Sequence, residues 1–258
     1  MRFNLGGRLS SSKARHAVER LLWTRSGERR VPSTRELDAA LTRLRRGELF
    51  DLCELDPRGP VYLLPTRELV RGLAARIREL GARRVLEVAA GDGFLSRELR
   101  RVAPELEVVA SDSGAWIDPR ARMNQRERRR LRGVDVPGVR LGPEVLRLDA
   151  LAAIRRARPD LLLASWLPPG KLLGRLIRAP VRYVLEIGAK GGVTPGAWSW
   201  RYAHAFCEEL EESARCRLDE RPGRELHSRV TLYFGARHPD HAREAVRRGD
   251  WLWQFRPR

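Results

Sequence analysis

Residues 84–99, RVLEVAAGDGFLSREL, combine a short apolar run, two glycines and a helical pattern. Val85, Leu86 and Val88 predict a buried strand, which Gly91 and Gly93 interrupt. The apolar residues that follow, Phe94, Leu95 and Leu99, have helical spacing. The stretch therefore predicts a strand, a tight turn and a helix. In an open α/β sheet, such a turn brings backbone N–H groups close to a ligand at the helix N-terminus.

Strands and helices are predicted to alternate along the chain on both sides of this stretch. An amphipathic helix is expected over 66–80, ended by Gly81, and another over about 200–214. Apolar runs predict further strands at 106–110, 145–148, 161–164 and 181–187, and a closing hairpin of 217–219 with 229–234. This alternation predicts a mostly parallel sheet with helices on both faces.

Residues 1–60 are predicted to form a small, basic helical cap, with residues 61–258 as the main domain. Residues 1–50 contain 12 basic and 5 acidic residues. Ser33 and Glu36 form a capping box that predicts the start of one cap helix.

The composition limits the compartment and the kind of partner. A net charge of +18 favours an anionic partner such as nucleic acid, a phosphorylated metabolite or an acidic protein. No apolar run is long enough to cross a membrane, and the N-terminus lacks the apolar core of a secretory signal. The three cysteines form no CxxC pair, so we expect reduced thiols, a cytoplasmic location and no metal site.

Four features are predicted to meet at the carboxyl ends of the parallel strands, where open α/β sheets bind ligands. These features are the glycine turn, Asp112 after the second strand, Asp149 after the third, and the irregular turn Ser165–Gly170 (SWLPPG) after the fourth.

This pattern, over about residues 66–234, resembles the class I S-adenosyl-L-methionine-dependent methyltransferases. The resemblance implies a Rossmann-like, seven-stranded, mostly parallel sheet. The first motif of that family is approximately (V/I)LExGxGxG, and Ala89 replaces its first glycine here. A dinucleotide-binding dehydrogenase is the competing interpretation, but Ser96 stands where its third glycine is required.

The resemblance also implies roles for individual residues around S-adenosylmethionine. Glu87 and the turn would hold the amino-acid part of the cofactor, Asp112 the ribose hydroxyls, and Asp149 with Ala150 the adenine. Ser165 and Trp166 would line the methyl-transfer pocket. The turn residues concerned are Ala89, Ala90, Gly91, Asp92 and Gly93. The alternatives are a turn acid or helix cap at Asp112, a helix cap at Asp149 and a core aromatic at Trp166.

The methyl acceptor is less well specified by the sequence. The fourth-strand turn lacks the Asp or Asn of amino-methylating nucleic-acid enzymes, and no Pro-Cys nucleophile is present. Glu186 and His204, with Tyr202 beside it, remain as candidate general bases. Their alternatives are a bond from Glu186 to the following glycine-rich loop and a structural histidine.

The predicted function is therefore a methyltransferase that uses S-adenosylmethionine, with a small molecule, peptide or protein as the unassigned acceptor. One alternative is an RNA methyltransferase that uses the basic surface, because residues 118–132 alone carry seven arginines and two acids. No aromatic residues are interleaved with the arginines of the basic segments, which counts against the RNA methyltransferase. The other alternative is a binding protein that keeps the fold without catalysis.

Overall fold

The computed structural model describes residues 13–44, 48–130, 132–167, 170–189, 199, 201–215 and 228–241. A seven-stranded sheet forms its centre, in the order β3-β2-β1-β4-β5-β7-β6. Its strands are β1 Arg84–Val88, β2 Glu107–Asp112, β3 Val145–Arg147, β4 Leu161–Ser165, β5 Tyr183–Ala189, β6 His204–Phe206 and β7 Ser228–Phe234. Strand β7 runs antiparallel to both of its neighbours, β5 and β6, and the other described pairings are parallel. The predicted Rossmann-like, mostly parallel sheet is confirmed.

Helices cover both faces of the sheet. They are α1 Lys13–Leu22, α2 Thr34–Leu41, α3 Glu48–Glu54, α4 Arg67–Glu79, α5 Phe94–Val102, α6 Pro119–Arg122, α7 Gln125–Arg130, α8 Ala150–Ala157, α9 Leu172–Ile177 and α10 Glu208–Glu211. Apolar residues of α4, α5 and α10 pack on one face, and those of α8 and α9 on the other. Strands covered on both faces are apolar throughout, as the LLLA run of β4 shows.

Strand β1 lies at the centre of the sheet, between β2 and β4. From β1 the chain moves outward to β2 and β3, then returns to β4 on the other side of β1. This reversal is the topological switch point, where the connections after β1 and β4 diverge and leave a crevice. The glycine turn after β1 opens into that crevice.

The helices α1, α2 and α3 form a separate apolar cluster that also includes Val61 and Leu64. The predicted capping box is present, with Ser33 accepting from the Glu36 N–H and the Glu36 carboxylate accepting from the Ser33 N–H. An ion pair joins the cap to the segment after α10, since the Arg215 Nε and Nη2 donate to Asp38 over 2.7 and 2.8 Å. The cap is therefore fixed to the main domain by a charged contact as well as by apolar packing.

The predicted helix over 200–214 is wrong in its first half. Residues 204–206 form the edge strand β6, which pairs with β7, and only 208–211 are helical. Backbone hydrogen bonds to the edge of β7 favour a strand here over the helix that the apolar spacing predicts. The predicted strand at 217–219 lies outside the described residues. Within the described ranges, no helix is both long and apolar enough to cross a membrane.

Candidate functional site

The turn after β1 adopts a left-handed backbone at three positions. Ala89, Gly91 and Gly93 have φ values of 53°, 55° and 68°. A Cβ atom on Gly93 would lie 2.7 Å from Cγ2 of Val145, so this position has no room for a side chain. The Asp92 carboxylate accepts from the Phe94 N–H at 3.1 Å and so caps the start of α5. The predicted strand, turn and helix are confirmed.

Replacing Gly93 by alanine is expected to destabilise the protein more than the same change at Gly81. Both glycines have a φ near +65°, but a Cβ on Gly81 would meet nothing within 4 Å. The left-handed backbone alone costs an alanine about 1–2 kcal/mol. The extra loss at Gly93 measures its contact with Val145, and chemical denaturation of both variants determines it. Equal losses would contradict the packing of the turn against β3.

Glu87, near the end of β1, connects the strand to α5. Its Oε2 accepts from the Ser96 backbone N–H at 3.0 Å and from the Ser96 hydroxyl at 2.6 Å. The side chain is buried, and loss of hydration raises its pKa to about 7, despite the opposing hydrogen bonds from Ser96. Glu87 therefore changes charge near neutral pH at the wall of a cavity.

Asp112, the last residue of β2, is bound to the glycine turn. One carboxylate oxygen accepts from the Gly91 N–H at 3.0 Å, and the other accepts from the Gly114 N–H at 2.7 Å. A carboxylate offers about four lone-pair sites, so two remain for a ligand. The Asp112 side chain is half-buried and lines the same cavity as Glu87.

A cavity of 790 Å³ lies over the carboxyl ends of β1, β2 and β4. It contains the turn residues 89–92 together with Glu87, Asp112, Ser165 and Trp166, whereas Gly93 lies behind the turn against β3. The N-terminal segment and the β2–β3 connection supply the other walls, which include Trp23, Arg29, Glu54, Arg58, Tyr62, Trp116 and residues 139–143. The cap therefore forms part of the site.

Trp166 follows β4 in a left-handed conformation, with φ 52°. This backbone is costly for a bulky residue, and such strain is concentrated at functional sites. Two contacts hold it in place. Its N–H donates to the Ile187 carbonyl at 2.7 Å, and its ring lies parallel to that of Tyr62, with centroids 6.1 Å apart. The Tyr62 hydroxyl donates to Glu54 at 3.4 Å.

Arg29 connects the cap to the glycine turn. Its Nη1 donates to Asp92 at 3.0 Å, its Nη2 to the Leu63 carbonyl at 3.3 Å, and its guanidinium lies 4.2 Å from the centre of the Phe94 ring. The Nε atom is buried and has no hydrogen-bond partner among the described residues. A cation with an unsatisfied donor thus lies at the cavity wall, paired with Asp92 of the glycine turn.

Asp149 and Ala150 do not line this cavity, and their role at adenine stays a prediction. The Asp149 side chain accepts from the N–H groups of Leu151 and Ala152 and caps α8. Ala150 is the first residue of that helix and packs against the apolar cluster below the sheet. An acid directly before a helix is well suited to capping, and this cap uses one of the two carboxylate oxygens of Asp149.

Glu186 and His204 do not line the cavity, and their role as general bases stays a prediction. Glu186 is fully buried inside β5, in register with Ala164 and Thr231, and its burial raises the carboxyl pKa well above its usual value. His204 begins β6 opposite Tyr233, which pairs with Val184 near the start of β5. His204 therefore lies toward the end of the sheet opposite the glycine turn.

The cavity residues that the sequence did not identify include Arg29, Glu54, Arg58 and Tyr62. The two arginines belong to 48 in the chain, and no local motif distinguishes them from solvated arginines. Tyr62 follows the predicted boundary between residues 60 and 61. A boundary between a cap and a ligand-binding domain commonly lies at a binding cleft, which is the one signal in the sequence for Tyr62.

Comparison with known proteins was made for sequence and for fold. No family model matches this chain, and no curated protein does. Similar solved structures include the methyltransferase domain of bacterial CtHen1, a human methyltransferase 10 domain containing protein, and precorrin-6y C5,15-methyltransferase from Geobacter metallireducens. Each is 11% identical, with TM-scores of 0.39, 0.39 and 0.37. In the same order, the matched regions span 65%, 67% and 66% of this chain and 98%, 84% and 89% of the solved chains.

Proposed function

We propose that this protein is a methyltransferase that uses S-adenosyl-L-methionine, with the acceptor unassigned. The observation that carries the proposal is the pair of carboxylates, Glu87 and Asp112, at one cavity beside a left-handed turn. A sulfonium cofactor with an ammonium group and a ribose diol needs two such acceptors. The parallel sheet, its switch point and the antiparallel β7 support the same family.

The residues at the turn fit the cofactor in size and in chemistry. Glu87 would accept from its ammonium group, and the free lone pairs of Asp112 would accept from the ribose hydroxyls. Arg29 would supply positive charge opposite its carboxylate. Ala89 and Gly91 keep the backbone close to the cavity, and a Cβ on Gly91 would touch only Val139. We therefore propose Glu87, residues 89–92 and Asp112 as the cofactor-binding set, supported from behind by Gly93.

Bound S-adenosylmethionine supplies an electrophilic methyl group. The contribution of the protein is to orient the acceptor and to exclude water. Ser165 ends β4 and Trp166 follows it, on the side of β1 opposite to Asp112, and Tyr62 stacks on Trp166. We assign these three residues to the acceptor. An acceptor that loses a proton would find Glu54 and the Tyr62 hydroxyl on this wall, in place of Glu186 and His204.

Transfer of labelled methyl groups tests the activity and the acceptor class together. The full chain would be incubated with methyl-labelled S-adenosylmethionine and with separate RNA, protein and metabolite fractions of a cell extract. We expect label in one pool, and we expect its loss in the Asp112→Asn variant. Cofactor binding without label in any pool would instead favour a non-catalytic binding protein.

Two further assignments belong to this proposal. We place the protein in the cytoplasm, since the described Cys207 is a buried free thiol, as expected in a reducing compartment. We also assign residues 1–60 to the cap and 61–258 to the cofactor-binding domain, although the cap's apolar cluster extends to Val61 and Leu64. Cell fractionation tests the first assignment and limited proteolysis the second.

A further inference from the structure

The connection between β2 and β3 carries two kinds of exposed side chain that occur together nowhere else in the described chain. Trp116 and Ile117, 41% and 44% exposed, are the exposed large hydrophobic residues of the described ranges. An arginine run follows them directly. We call this set the β2–β3 surface: Trp116, Ile117, Arg120, Arg122, Arg126, Arg128, Arg129 and Arg132.

The six arginines of the β2–β3 surface are exposed, and none forms an ion pair with a carboxylate of the described residues. Arg122 and Arg128 donate to the backbone carbonyls of Ala115 and Met123, and Arg120 donates to that of Val134. These bonds orient the guanidinium groups without pairing them with a described carboxylate.

The density of exposed arginines distinguishes the β2–β3 surface. Elsewhere in the described chain, Arg67, Arg78 and Arg101 pair with Glu36, Glu105 and Glu98, whereas Arg71, Arg155 and Arg156 are exposed without a described ion pair. The β2–β3 surface places six such arginines within residues 120–132. This local concentration of positive charge favours a polyanionic ligand.

Trp116 is presented on a fixed backbone. The Val139 N–H donates to the Trp116 carbonyl at 2.9 Å, and a Cβ on Gly138 would lie 1.8 Å from the Ile117 carbonyl oxygen. The two backbone segments are therefore in close contact. Trp116 also lines the cavity described above, so the β2–β3 surface is continuous with the proposed methyl-transfer site.

We propose that the β2–β3 surface binds single-stranded RNA, with a base stacked on Trp116 and phosphates on the arginines. A flat aromatic face beside a row of cations is the arrangement that binds unpaired nucleotides. An acidic peptide would need the cations but not the exposed ring. A duplex presents its bases only at their edges, whereas RNA commonly exposes unpaired bases in loops and ends. This inference rests on the proposed function, since continuity with the cavity makes the bound strand the methyl acceptor.

Binding of a fluorescein-labelled 12-nucleotide RNA of mixed sequence, followed by anisotropy from 50 to 200 mM KCl, tests this proposal with the full chain. The triple variant Arg126→Gln, Arg128→Gln, Arg129→Gln is expected to bind at least 10-fold more weakly at the lowest salt. Its slope of log affinity against log salt should be about 2 units shallower, since each lost phosphate contact to a single strand removes about 0.7. Trp116→Ala should weaken binding about 10-fold without changing the slope.

The matched control removes the same charge elsewhere. Arg71, Arg155 and Arg156 are exposed and lie on α4 and α8, away from the β2–β3 surface. Their triple replacement by glutamine should change RNA affinity less than 3-fold. An equal loss in this control, or equally good competition by poly-glutamate or duplex RNA, would overturn the proposal.

Calorimetry with S-adenosylhomocysteine on the same preparations separates the two proposals. We expect the arginine triple variant to keep the wild-type affinity for this product while it loses RNA binding. A wild-type protein that binds S-adenosylhomocysteine but not the RNA would contradict the RNA surface alone. A protein that binds the RNA but not S-adenosylhomocysteine would contradict the proposed function and leave the surface in place.

Discussion

Replacing Glu87 by glutamine is expected to stabilise the ligand-free protein at alkaline pH and to weaken cofactor binding. Burial raises the pKa of Glu87 to about 7, whereas an unfolded glutamate titrates near 4.5. The stability that protonated Glu87 contributes is thus complete below pH 4.5 and is lost as the pH rises through 7. A difference of this size corresponds to about 3 kcal/mol.

The glutamine variant lacks this titration but keeps an oxygen that can accept from Ser96. Between pH 4.5 and 8.5, the difference in unfolding free energy between variant and wild type should therefore shift by about 3 kcal/mol in favour of the variant. Chemical denaturation at both pH values measures this difference, and the subtraction cancels the parallel contribution of Glu186. A difference that stays constant with pH would contradict the burial of a titrating Glu87.

Replacing Asp38 by asparagine is expected to lower the free energy of unfolding by about 2–4 kcal/mol. The Arg215 side chain is only 3% exposed, and it forms an ion pair with Asp38, which is 37% exposed. Its guanidinium also donates to the Glu212 and Ala214 carbonyls, so the variant removes a carboxylate charge from beside a buried cation. Urea denaturation of the variant measures the loss.

Two further variants control for the loss of charge. Glu105→Gln removes the partner of Arg78 at an ion pair about half exposed on both sides, and it should cost less than about 1 kcal/mol. The double variant Asp38→Leu, Arg215→Met should recover most of the loss, because apolar residues of similar volume can replace a buried ion pair. If Asp38→Asn costs no more than Glu105→Gln, the cap is not fixed by this contact.

The sequence alone was sufficient to predict the features that depend on residues close together in the chain. The apolar run of β1, its glycines and the spacing of α5 specify a strand, turn and helix within 16 residues, and this prediction was confirmed. Asp112 was also located correctly at the rim, because a residue that ends a parallel strand next to β1 has to lie near the turn. Trp166 was located at the cavity by the irregular turn around it.

The features that the sequence did not specify depend on competition between local and distant partners. Asp149, for example, satisfies two N–H groups of its own helix within three residues. His204 lies in a segment whose structure depends on pairing with β7, about 25 residues later in the chain. Arg29 reaches Asp92 across 63 positions, and no sequence pattern in a single chain specifies such a contact.

The most direct test of the central claim is titration of S-adenosylhomocysteine into the full chain, compared with Asp112→Asn and Asp149→Asn. Asparagine at position 112 would place its NH2 group opposite the N–H of Gly91 or Gly114, where two donors would face each other. It would also remove one oxygen that could accept from the ribose. Asparagine caps a helix about as well as aspartate, so the change at 149 should leave the affinity unaltered. We predict wild-type binding that weakens at least 10-fold in Asp112→Asn alone. No binding to the wild type, or equal weakening in both variants, would contradict the assignment of this cavity.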